Sequence, residues 1–123
     1  MADEITVKVY LAVAKTGVPS IIKAPNSFTA TMTGTDLILA TQLVAEAAAA
    51  NLEMGAITTP GYGLFHNLDA ANFIEIGHDV AAAFEADVKL LAGEWCLFRL
   101  AQATPQVKAN TADCQLEYFL VEA

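Results

Sequence analysis

From Ile5 onward the odd positions Ile5, Val7, Val9, Leu11 and Val13 are all apolar, with Thr6, Lys8 and Tyr10 between them. Side chains that alternate with period two share one side only in an extended chain, so this run predicts a half-buried strand. The alternation returns at Phe28, Ala30 and Met32 against three threonines, and at Cys114, Leu116, Tyr118 and Leu120 against Gln115 and Glu117. Leu37 to Val44 and Trp95 to Ala101 are apolar on both sides, which predicts a central, doubly covered place for the first of them. Short strands of this kind commit the chain to sheet.

Gly, Pro and Asn cut the strands to length. Lys15-Thr-Gly-Val-Pro19 ends the first, Pro25-Asn26 closes a short one at Ser20 to Lys23, Gly34 turns the chain, and Ala92-Gly93-Glu94 and Pro105 divide the C-terminal third. Eight to ten short strands result, which favours an all-β fold, an antiparallel β-sandwich or jelly roll. Residues 45–54 stand apart, because Ala-Glu-Ala-Ala-Ala-Ala-Asn-Leu-Glu-Met has high helix propensity and Gly55 would stop a helix. Every neighbour is a strand, so an extended segment is the favoured reading beside one short helix.

The stretch Gly61-Tyr-Gly-Leu-Phe-His-Asn-Leu-Asp-Ala-Ala-Asn-Phe-Ile-Glu-Ile-Gly77 is the most locally specified. Its apolar ends flank Asn67, Asp69 and Asn72, residues that bond their own backbone, so the pattern predicts a β-hairpin ending at Gly77. Pro60-Gly61 before it fits a type II turn, with positive φ at Gly61. Gly93 marks a further turn.

A chain of 123 residues is expected to form one domain, 1–123, burying roughly two thirds of its unfolded surface, with residues 1–4 a flexible arm. The net charge of −8, with no basic cluster, argues against direct nucleic-acid binding. Hydrophobic residues make up 55% and charged ones 16%, yet no apolar run is long enough for a membrane helix. Such a composition is expected of a surface partly covered by other copies or by a partner. Met1-Ala-Asp-Glu lacks the basic and apolar stretches of a signal peptide, so the chain is expected to act where it is made or in a particle assembled there. Cys96 and Cys114, at no metal-ligand spacing, read as free buried thiols.

Catalytic chemistry finds little support. His66, Asp69, Glu75, His78 and Asp79 gather near one another in sequence, but at no metal-motif spacing, and His66 alternates with Leu64 and Leu68 as a packed or interface residue does. Ser20 and Ser27, the only serines, sit in no hydrolase-like setting. Trp95 and Phe98 read as core, and Arg99 as a partner for an acid. No catalytic residue, cofactor or metal is assigned, and the chain is read as not an enzyme.

Thr59-Pro-Gly-Tyr62, the segment from Asn67 to Gly77, Leu91-Ala-Gly-Glu94, Lys108-Ala-Asn-Thr-Ala and Leu116-Glu-Tyr118 occur in an order that resembles small all-β structural proteins of tailed bacteriophages. The resemblance covers about residues 57–122, and the Ala-rich stretch from Ala45 to Ala50 departs from it. It implies a virion protein assembled in the host cytoplasm. Its work would be capsid decoration or cementing, through symmetric contacts with itself, as a homotrimer, and with the major capsid protein or other virion proteins. A tail or fibre adaptor is the alternative, and a glycan-binding β-sandwich a further one. The strand of Ile5, Val7, Val9, Leu11 and Val13 is the expected anchor.

Overall fold

The structure, a computed structural model, describes residues 3–123. Twelve strands and no helix are found among the described residues, in two compact units, Met1–Thr33 and Gly34–Ala123. The fold is all-β and antiparallel throughout, and the β-sandwich lies in the second unit.

In the first unit, β1 (Ile5–Val7) pairs with β4 (Phe28–Ala30), and β2 (Leu11–Lys15) with β3 (Val18–Lys23). The single strand expected from Ile5 to Val13 is therefore broken at residues 8–10, and Val9 falls in the break. The cause lies across the ladder. Val7 pairs with Phe28 and Leu11 with Lys23, so the break faces the stretch around Pro25, which has no N–H to give a ladder. Half-burial fails as well: Val7 is buried, but Val9, Leu11 and Val13 are exposed. Of the expected arm, Met1 and Ala2 lie outside the described residues. Asp3 accepts a bond from Thr29 Oγ1 (3.0 Å) and Glu4 from the Met32 N–H (3.2 Å).

The second unit contains β5 (Leu37–Val44), β6 (Ala50–Asn51), β7 (Pro60–Asn67), β8 (Ile74–Val80), β9 (Ala83–Leu90), β10 (Trp95–Arg99), β11 (Gln106–Ala109) and β12 (Cys114–Glu122). They form two four-stranded sheets, β10-β7-β12-β5 and β6-β11-β8-β9. The core lies between the inward residues, Val44, Phe65, Cys114, Leu116, Tyr118 and Leu120 from one sheet and Ile74, Ile76, Leu90, Val107 and Ala109 from the other. Phe65 stacks on Phe98 and Tyr118, with ring centres 5.2 and 6.3 Å apart. Strand β5, predicted central, is an edge. Its second apolar side is solvent-facing here, and β7 and β12 take the middle.

Residues 61–77 do not form a hairpin, since β7 and β8 belong to different sheets. Asn67 is the cause. Fully buried, it donates from Nδ2 to the carbonyls of Asn72 (2.9 Å), Leu90 (3.1 Å) and Leu91 (3.2 Å), and its Oδ1 accepts the Asp69 N–H (2.9 Å). These bonds tie the end of β7 to the opposite sheet and turn the chain across the sandwich. Asp69 then accepts the Asn72 and Ala71 N–H groups at 2.6 and 2.9 Å, which hold its carboxyl below the usual range. The polar centre is a corner between layers.

Nor is there a turn at Pro60-Gly61. Both residues are buried at the start of β7, where Pro60 can sit because the first position of a strand forgives a missing N–H. Gly61 is glycine because its backbone passes close to the C-terminal chain; a Cβ there would lie 3.2 Å from the Ala123 Cα. The true hairpin is β8–β9, joined through Ala81 and Ala82 with φ of 51° and 67°, a conformation usually left to Asn and Gly. Gly77 sits beside its register shift, where a Cβ would run into the Glu85 carbonyl.

Residues 45–54 are extended or coiled. Gln42 donates to the Asn51 carbonyl (3.1 Å) and accepts the Glu53 N–H (2.9 Å), Ala109 N–H reaches the Ala45 carbonyl (3.0 Å), and Leu52 is buried in the core. Each bond takes a backbone group that a helix would have used, so packing overrides propensity.

Candidate functional site

Strand alternation gives each sheet of the second unit an outward face, and the two faces differ in chemistry. On the β6-β11-β8-β9 sheet, Glu75 of β8 sits in register between Lys89 of β9 and Lys108 of β11. Opposite charges alternate across that face, as water favours. The face of the β10-β7-β12-β5 sheet is built otherwise. Leu39 pairs with Phe119, Phe119 with Leu64, and Leu64 with Leu97, so one apolar row crosses all four strands.

The rows beside it extend the contrast. Leu37 faces Val121 toward one end, and Leu43 faces Gln115 toward the other. Leu39 is 72% exposed, Phe119 39% and Trp95 56%. Burying a side chain of this size contributes about 1.5–3 kcal/mol. A face with several of them open to water is strongly favoured to be covered.

Between the apolar row and the Leu43–Gln115 pair, Thr41, Glu117, His66 and Trp95 form a further row. The His66 and Trp95 rings stack, with centres 3.9 Å apart and planes within 8°, and Glu117 lies 3.7 Å from His66 Nδ1. A shallow hollow beside them is lined by Leu39, Leu64, Trp95, Glu117 and Phe119. His66 is thus a half-buried residue of the outer face, while Trp95, expected in the core, points outward. Phe98 does pack on the core, and Arg99 lies over the Tyr62 ring, 5.1 Å from its centre.

The remaining titratable groups are dispersed. His78 Nδ1 pairs with Asp87 at 2.8 Å on the other sheet, Asp79 is exposed, and among the described residues no three His, Cys, Asp or Glu side chains converge as metal ligands would. Cys96 and Cys114 are free. Burial, then the nearby Glu94 carboxylate, push the Cys96 thiol up to about 12, and burial raises Cys114 as well. Gly93, with φ of 77°, makes the expected turn, in which the Glu94 carboxylate accepts the Leu91 N–H at 3.0 Å.

A second exposed apolar surface belongs to the first unit. Leu11, Val13, Val18, Ile21 and Ile22 of the β2–β3 ribbon are all exposed, Leu11 to 69%. The sequence singled out Leu11 and Val13 and read Ser20 to Lys23 as a short strand, but did not pair the two.

Comparison with known proteins finds no matching family model, no matching curated protein and no matching solved structure.

Proposed function

We propose that this chain is a structural protein of a tailed-phage virion, a capsid decoration or cement protein that stabilises the shell through symmetric contacts between its own copies and with the major capsid protein. The observation that carries the reading is the contrast between the two sandwich faces. The row of Lys89, Glu75 and Lys108 suits solvent, and the row of Leu39, Phe119, Leu64 and Leu97 suits a protein surface. A protein that binds only the assembled shell stabilises it by mass action, without any chemical step. The phage assignment itself rests on the motif likeness over residues 57–122.

Copy number in purified particles tests it. A decoration protein is present in large multiples that follow the capsid lattice, and absence from particles rules the role out. A tail or fibre adaptor is the alternative, set apart by a few copies per particle. A glycan-binding module has one observation in its favour, the exposed Trp95 ring stacked on His66 with the Glu117 carboxylate beside it. That reading requires affinity of the isolated protein for host polysaccharide, lost on Trp95→Ala.

A further inference from the structure

We propose that the β2–β3 ribbon of one copy docks on the outer face of the β10-β7-β12-β5 sheet of a second copy. The inference rests on the reading of the chain as a self-assembling structural protein, and it names the contact through which the copies join.

The ribbon has the right chemistry for that face. Directly opposed residues of an antiparallel pair share a side, so Val13 with Ile21 and Leu11 with Lys23 present one apolar surface ending in a cation. An isolated two-stranded ribbon is marginal in water, so its order depends on what it lies against. Size agrees: four strands make a face about 14 Å wide, and eight residues make it about 27 Å long, enough for a ribbon of five- and six-residue strands. The apolar row of Leu39, Phe119, Leu64 and Leu97 would lie beneath it.

Charge selects this partner. Residues 1–33 hold Lys8, Lys15 and Lys23 against Asp3 and Glu4, a net charge of +1, while residues 34–123 hold three cations against twelve acids, a net charge of −9. Joining two copies through the second unit alone would set −9 against −9, whereas ribbon on sheet sets the +1 unit against the −9 unit and brings Lys15 and Lys23 of the ribbon toward Glu117 of that face. The contact joins unlike surfaces, so every copy offers one ribbon and one face. Such heterologous contacts close into rings when the rotation allows, and three copies are the smallest ring beyond a pair.

Two exposed-site variants test the contact by sedimentation velocity, alone and mixed. Val13→Asp/Ile21→Asp damages the ribbon and Leu39→Asp/Phe119→Asp damages the face; circular dichroism melts near the wild-type value establish that both fold. Each is expected to be monomeric alone, and the equimolar mixture to form a two-copy complex, one copy lending its intact ribbon to the other's intact face. A ribbon variant that keeps the wild-type oligomer, or a mixture that stays monomeric, overturns the proposal. Lys15→Glu/Lys23→Glu is expected to weaken self-association about tenfold, and an unchanged association constant counts against it. Wild-type protein that is monomeric in solution yet abundant in purified particles also overturns this contact, and leaves the structural role standing.

Discussion

Replacing Asn67 with Ala would strip the donor from three carbonyls, those of Asn72, Leu90 and Leu91, and the acceptor from the Asp69 N–H. Buried polar groups left without partners cost about 1–3 kcal/mol each, and some are rescued by relaxation, so Asn67→Ala is expected to lose about 3 kcal/mol in urea denaturation. A loss below about 1 kcal/mol would mean that the corner is held by something else. Cys96 offers a pH test. With its thiol pushed up to about 12, folded protein should resist iodoacetamide at pH 8, where an unfolded cysteine reacts readily. The sign extends to stability: between the ordinary cysteine value near 9 and about 12 the unfolded chain ionises this thiol and the folded chain does not, so the contribution of Cys96 to stability is intact below pH 9 and falls as pH rises through that window. Cys96→Ala should flatten that part of the profile. At this scale the sequence identified Asn67 and Asp69 as backbone-bonding residues, whereas the Asn72 side chain accepts the Thr111 hydroxyl instead. The sequence could not tell a corner from a hairpin, because both use the same local bonds and differ only in which strand lies opposite.

Among the elements, the β8–β9 hairpin is the one least announced. Ala81 and Ala82 hold positive φ with no glycine or asparagine to ease it, so nothing in residues 78–87 marks a turn. The left-handed conformation costs an alanine about 1 kcal/mol, and Ala81→Asn/Ala82→Gly is expected to raise stability by about 1–2 kcal/mol, read as a higher melting temperature. A lower one would show that the turn is not of this type. Alternating strands such as β12 were legible because one side is buried and the other is not. The strand from Leu37 to Val44, apolar on both sides, was misplaced, since a covered middle strand and an edge strand with an exposed apolar side have the same composition. Leu37, Leu39 and Leu43 thus pointed to a central strand, and the structure puts them on an outer face at the edge. The long N-terminal alternation was read as one strand because its period runs on through Val9, whereas the segment around Pro25, between β3 and β4, divides the ladder.

For the whole molecule the central feature is the two-faced sandwich, one sheet with a row of alternating charges on its outer face and the other with an exposed apolar row. The sequence could reach the all-β class and the surplus of apolar side chains, but the row of Leu39, Phe119, Leu64 and Leu97 draws on four strands far apart in the chain, and only the register brings them together. The measurement closest to this claim is residue-level covalent footprinting of the free chain against the assembled state, with carbene labelling for the apolar side chains and amine labelling for the lysines. Assembly is expected to protect Leu39 and Phe119 strongly while Lys89 and Lys108 stay labelled; equal protection of both faces, or none at Leu39 and Phe119, would contradict the account.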